Sequence, residues 1–316
     1  MKNTYFGVTC AVFVILVTAF SLTAHSPAQW AVPVYASNST TGLPGTVFIH
    51  KATLTSIVGN ATTINNGLIN GNPDSIIIVT QSWNPAGAST GVYNPRDVGV
   101  RYFVSSGRWG IFNEDAAPMP IGAAFNVFVA DGNAAAAVHS STSGNTSLYW
   151  TNINNALTNN NANALLFTTH LYAAPGHPGE NHNHALGVHY NYLNRWAIFN
   201  QDTATMNLDV DFNILVAPEH PNIYVHTATP ENTSGPVTFL SHPLLTNNPY
   251  AMIMLTSNWN PGGSGGTFND HPIAVWYDIP GGRWCVFSED FANIPVGSSY
   301  NIMIDASATY LPLIRR

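Results

Sequence analysis

Arg108-Trp109-Gly110-Ile111-Phe112-Asn113-Glu114-Asp115 decides how this chain is read, because the chain writes it three times. It returns as Arg195-Trp196-Ala197-Ile198-Phe199-Asn200-Gln201-Asp202 and as Arg283-Trp284-Cys285-Val286-Phe287-Ser288-Glu289-Asp290. The three closing Asp residues lie 87 and 88 positions apart. Each copy is preceded by a short apolar line: Gly99-Val100-Arg101-Tyr102, Gly187-Val188-His189-Tyr190 and Ala274-Val275-Trp276-Tyr277. Each is followed by Phe125-Asn126-Val127, Phe212-Asn213-Ile214 or Tyr300-Asn301-Ile302. Upstream stand Ile49-His50, Val138-His139 and Val225-His226. A period of this length is that of a small domain; solenoid and trefoil units are much shorter.

Within a copy the apolar residues alternate with period two, and no helical period is sustained. Val98, Val100 and Tyr102 share one strand face, and the same positions stay apolar as Leu186, Val188, Tyr190 and Ile273, Val275, Tyr277. The opposite face drifts in character, so it points outward. Trp109 and Ile111 oppose Gly110 and Phe112, which makes that strand apolar on both faces and central in its sheet. Phe125, Val127 and Val129 point inward in the last strand, and residues 63–69 read as a weak additional strand. Short strands broken by Gly, Pro and Asn predict an all-β chain: three tandem small antiparallel β-sandwich-like domains of about 85 residues each. The expected division is a leader at 1–28, a linker at 29–45, repeats at 46–131, 132–219 and 220–305, and a tail at 306–316.

The leader has the order of a secretory signal peptide: Lys2, an apolar run from Val8 to Phe20, then Ala24, Ser26 and Ala28. The run is short for a transmembrane helix of about 20 residues, so no membrane span is expected after cleavage. Cys10 belongs to the leader, which leaves Cys285 alone and rules out an intramolecular disulfide in the processed chain. Its counterparts are Gly110 and Ala197, which marks a small buried position and a packed thiol. Charged residues make up 8% of the chain and the net charge is −7, without a basic stripe, so nucleic acid is not an expected partner. Asn38, Asn60, Asn145 and Asn232 begin glycosylation sequons.

The run of Trp-Asn-Pro, Gly-Val-x-Tyr and Arg-Trp-x-x-Phe-x-x-Asp resembles an uncharacterised β-rich domain found in tandem in secreted bacterial proteins. The resemblance spans all three repeats and implies architecture and export; it transfers no catalytic residue. Repeat two departs from it with Leu171-Tyr172-Ala173 opposite Trp83-Asn84-Pro85 and Trp259-Asn260-Pro261.

Four groups of residues invite a chemical reading. Asp115, Asp202 and Asp290 are kept in every copy; a lone Asp after a strand caps a turn more readily than it supplies the six to eight oxygens calcium needs. His50, His139 and His226 recur without a Ser or Cys that would complete a nucleophilic set, which favours a structural imidazole. His177, His182 and His184 lie in one loop of repeat two and are the candidate metal ligands by residue type. The candidate ligand site is the loop bearing Trp83, Asn84, Tyr93, Asn94 and Arg96, with Trp259, Asn260, Phe268, Asn269 and His271 in repeat three. Aromatic faces beside amides stack on sugar rings or anchor a protein; the competing reading is that both Trp side chains plug the end of a sandwich.

These features predict a secreted, non-catalytic binding or adhesion protein for an extracellular ligand such as a carbohydrate or protein, without a cofactor. The alternatives are a structural surface or matrix component assembling through its β domains and, with least support, an extracellular hydrolase. No acid–base pair or nucleophile set recurs intact to support catalysis.

Overall fold

The computed structural model describes residues 42–306; the leader expected at 1–28, the linker up to residue 41 and the tail beyond Ala306 lie outside the described residues. Repeat one contributes β1 (Gly45–Lys51), β2 (Ile57–Val58), β3 (Ala61–Thr63), β4 (Ile77–Ser82), β5 (Val98–Phe103), β6 (Arg108–Asn113) and β7 (Ala124–Ala130). Repeat two contributes β8 (Ala136–Ser140), β9 (Thr146–Ser147), β10 (Trp150–Asn152), β11 (Leu165–Tyr172), β12 (Leu186–Tyr190), β13 (Trp196–Asn200) and β14 (Asp211–Ala217). Repeat three contributes β15 (Ile223–Thr227), β16 (Thr233–Ser234), β17 (Val237–Phe239), β18 (Met252–Asn258), β19 (Ile273–Asp278), β20 (Arg283–Ser288) and β21 (Ser299–Asp305). The all-β class and the threefold repetition expected from the sequence are those of the structure. Residues 63–69 are not a strand: β3 ends at Thr63, and the following turn buries Ile64 and Ile69 as plugs of the core.

Each repeat is a sandwich whose two layers belong to different sheets. In repeat one, β1, β7 and β4 form one layer and β2, β3, β6 and β5 the other. Phe48, Ile77, Val79, Phe125, Val127 and Val129 of the first layer pack on Val100, Trp109 and Ile111 of the second. Repeats two and three hold equivalent cores of their own around Trp196 and Trp284. Trp109, Trp196 and Trp284 are at most 1% exposed, and each indole N–H donates to a backbone carbonyl, of Asn72, Asn161 and Asn248 respectively, at 2.8 Å.

The layers then continue into the neighbouring repeats. The β4 strand pairs in parallel with β19, β11 with β5, and β18 with β12. The result is three seven-stranded sheets, each built from three strands of one repeat and four of another. Repeat one borrows from repeat three, repeat two from repeat one, and repeat three from repeat two, so the set closes on itself. The tandem units are therefore not beads joined only by short linkers.

A fourth core fills the centre of this ring. The three-stranded layers are apolar on both faces, and the faces turned away from their own sandwiches meet there. Ile78, Phe167 and Met254 hold equivalent positions in β4, β11 and β18; Phe128, Leu215 and Met303 do so in β7, β14 and β21. Beside this apolar plug lies a polar layer made by repetition. Thr169, Thr256 and Thr80 accept through Oγ1 the backbone N–H of Val79, Thr168 and Leu255, at 2.9, 3.2 and 2.9 Å. Asn126, Asn213 and Asn301 donate to the carbonyls of Ile253, Ile77 and Leu166 at 3.0, 3.0 and 2.8 Å. Every one of these six bonds crosses a repeat boundary in buried surroundings, where an unpaired backbone group is expensive.

Candidate binding site

The segment leading into β5, β12 or β19 brings the loop residues to the mouth of a central cavity. Arg96, His184 and His271 occupy equivalent places there. Each is held by the Asp that ends the Trp strand: Arg96 Nε to Asp115 Oδ2 at 2.9 Å, and His184 and His271 Nδ1 to Asp202 and Asp290 Oδ2 at 2.7 Å. The other oxygen of each Asp accepts the N–H of Ala117, Ala204 or Ala292 at 2.9, 3.0 and 3.1 Å. The invariant Asp is thus a turn cap that also fixes the mouth residue.

Below the mouth the cavity encloses about 100 Å³ and is lined from all three repeats. Its walls include Thr80, Thr169 and Thr256, and the equivalent positions Gln81, His170 and Ser257. Glu114, Gln201 and Glu289 follow the repeat relation too, each reaching into the next unit. Glu114 Oε2 accepts the N–H of His182 at 3.1 Å, Gln201 Oε1 that of Asn269 at 3.3 Å, and Glu289 Oε2 that of Asn94 at 3.1 Å. Gly99 has to lack a side chain, since a Cβ there would sit 2.2 Å from Glu114 Oε1.

The threefold frame carries unequal chemistry. Between repeats two and three the positions hold Ser257, Gln201, Asn269 and Ala185; between three and one they hold Gln81, Glu289, Asn94 and Pro272. Between repeats one and two they hold His170, Glu114, His182 and Asp97, two imidazoles and two carboxylates. His170, 1% exposed, donates its Nδ1–H to Glu114. His182, 2% exposed, donates its Nε2–H to Asn200 Oδ1 at 2.7 Å. Burial, followed by the neighbouring His170 and His184, depresses the His182 pKa to about 3. Burial, reinforced by the Glu114 charge, lifts Asp97 to about 7.

A second kind of surface lies at the outside of two of the three junctions. Trp83 packs on Tyr93 with centroids 5.4 Å apart and on Trp276 of repeat three at 6.3 Å; Phe291 stands 4.8 Å from Tyr93. Trp259 packs on Phe268 at 5.6 Å and on His189 of repeat two at 6.2 Å. Tyr149, His189, Phe199, Trp259 and Phe268 frame a small recess of about 50 Å³. Tyr93 and Phe291 are 41% and 58% exposed and Phe268 is 38% exposed, while neither Trp83 Nε1 nor Trp259 Nε1 has a hydrogen-bond partner.

The loop residues singled out from the sequence therefore separate into groups. Trp83, Tyr93, Trp259 and Phe268 form the outer aromatic clusters. Arg96 and His271 stand at the cavity mouth, with Asn94 and Asn269 buried beside it. Asn84 and Asn260 are buried staples: the Asn84 amide brackets the backbone of Tyr277 at 2.8 and 2.9 Å, and Asn260 brackets Tyr190 at 2.8 Å on both sides. These amides extend the parallel pairing by one step. His177, His182 and His184 are not drawn to a common point, since they bond to Asp211, Asn200 and Asp202 respectively. Among the described residues no group of three or more His, Cys, Asp or Glu side chains is arranged to hold a metal.

His50, His139 and His226 are cross-sandwich ties. Their Nε2 atoms meet Thr62, Thr151 and Thr238 Oγ1 at 2.9, 2.9 and 2.8 Å. The strand register also shows that Tyr172, not Leu171, stands where Trp83 and Trp259 stand. Gly91, Gly179 and Gly266 lie against Trp83, Tyr172 and Trp259 in turn, which supports the same alignment. His170 and Asp97 lie outside the residues singled out from the sequence. Their signal was divergence: titratable residues at positions where the other repeats carry uncharged ones.

A family model described as a domain of unknown function, DUF7452, matches residues 23–104, 99–206 and 191–304, and the chain belongs to that family. Comparison with curated proteins and with solved structures returned no match.

Proposed function

We propose that this three-repeat DUF7452 chain is an exported, non-catalytic binding protein that takes hold of an extracellular polysaccharide through the aromatic clusters at its repeat junctions. Export rests on the leader-like order of Lys2, the apolar run to Phe20 and the small residues up to Ala28. The observation that carries the binding reading is the recurrence of Trp83–Tyr93–Phe291 and Trp259–Phe268–His189 at two equivalent junctions, part-exposed in each. Sugar rings present C–H faces that lie on aromatic planes, and flanking polar groups bond their hydroxyls. Two such clusters on one closed scaffold engage a polymer at two points, so modest single-site affinities multiply.

The test is retention of the full chain on a panel of insoluble polysaccharides, compared with Tyr93→Ala/Phe291→Ala, Phe268→Ala/His189→Ala and all four changes together. The expected result is partial loss in each double variant and near-complete loss in the quadruple variant, with unchanged circular dichroism. Retention undiminished in the folded quadruple variant contradicts the assignment.

A further inference from the structure

We propose that the central cavity, at its sector between repeats one and two, binds a small cation carrying N–H donors, such as ammonium or a short primary amine. This site is separate from the outer aromatic clusters and nothing in the polysaccharide reading requires it.

The hydrogen-bonding character of the wall favours a ligand that brings donors. In this sector two buried ring nitrogens of cavity-lining residues lack a partner: His170 Nε2 and His182 Nδ1. His182 has committed its Nε2–H to Asn200, so in the neutral ring Nδ1 offers only a lone pair. His170 has committed Nδ1 to Glu114, which leaves Nε2 as its ring nitrogen without a partner. The His182 Nδ1 lone pair is thus an unmet acceptor on the wall of this sector. A molecule that satisfies it has to bring an N–H or O–H group.

Charge favours a cation. Asp97 and Glu114 stand on the wall, while Arg96, the lining residue with a fixed positive charge, is already held by Asp115. His184 and His271 are each held by a mouth carboxylate. An anion would meet these carboxylates without a free positive partner, whereas a cation would relieve their mutual repulsion. Size sets a further limit. A cavity of about 100 Å³ lies well below the roughly 300–1,000 Å³ of pockets for drug-sized ligands and suits a molecule of a few heavy atoms. A transition metal does not fit the arrangement, because the histidines and carboxylates of this sector do not converge in threes.

Repeat comparison makes the sector specific. The same frame in the other two sectors carries Ser257, Gln201 and Ala185, or Gln81, Glu289 and Pro272, which lack the pair of imidazoles. The scaffold needs neither His170 nor Asp97 at these positions, since its other two copies close without them.

Calorimetric titration of the full chain with methylammonium chloride, at neutral pH and fixed ionic strength, tests the assignment. Potassium chloride serves as a cation without donors, and zinc chloride as a metal. Saturable binding of methylammonium, with little response to potassium, is expected. Asp97→Asn and His182→Phe should each weaken it by about tenfold or more, the effect of losing one charge-assisted or buried bond. Should either variant fail to fold, nitrogen NMR of the unmodified chain decides instead, through methylammonium-dependent shifts of the His170 and His182 ring nitrogens. No saturable methylammonium binding, an equal response to potassium, zinc binding with amines silent, or ring nitrogens that do not respond would each overturn the proposal.

Discussion

Thr169 Oγ1 accepts the backbone N–H of Val79 at 2.9 Å, joining β11 to β4 across 90 residues of chain. Thr256 and Thr80 make the corresponding bonds, so a hydroxyl in each repeat completes the backbone of another. Thr169→Val keeps the shape but removes the acceptor and leaves a buried N–H unpaired. Urea unfolding should show a loss of about 1–3 kcal/mol. An unchanged midpoint would mean that this N–H finds water, and that the centre is looser than described.

The Trp196 indole is wholly buried and its N–H is bonded to Asn161 O. Trp196→Ala should destabilise the chain by about 3–5 kcal/mol. Trp83→Ala should cost clearly less, because Trp83 is half-buried and its N–H has no partner to lose. Thermal melts of the two variants give the comparison directly. Equal losses would contradict the division between framework and surface tryptophans.

How far the sequence reveals this molecule follows from the range of each signal. The inward sets Val98–Val100–Tyr102 and Phe125–Val127–Val129 were legible because alternation along a strand is local. Ile77-Ile78-Val79 announces a strand buried on both faces, yet nothing local says that its outer partner is β19, nearly 200 residues onward. The ring therefore had to come from the fold. For the cavity the difficulty was different. Its lining is assembled from single residues of three repeats, and a reading that looks for recurring chemistry passes over His170, whose counterparts are Gln81 and Ser257. The recurrent His50, His139 and His226, conspicuous in the sequence, became ties to threonines.

These histidines set a pH dependence. Burial lowers the folded pKa of His50, His139, His189 and His226 to about 4 and that of His182 to about 3, all below the unfolded value of about 6.5. As pH falls from 6.5 the unfolded chain takes up protons that the folded chain refuses, and stability drops. Asp97 and Glu289 act in the opposite sense, since burial lifts both to about 7 and they hold protons in the fold that the unfolded chain has released. Five groups outweigh two, so the melting temperature should fall as pH is lowered from 6.5 towards 4. A melting temperature that rises over this window would show that the carboxylates dominate.

Small-angle X-ray scattering of the stretch from residue 42 to residue 306 tests the closed ring most directly. A chain of this length folded into one closed body has an expected radius of gyration of about 18 Å. The three parallel strand pairings require a value close to that, with a bell-shaped, single-maximum distance distribution. A clearly larger radius with a long-tailed distribution, as from three sandwiches strung end to end, would contradict the shared sheets and with them the central cavity.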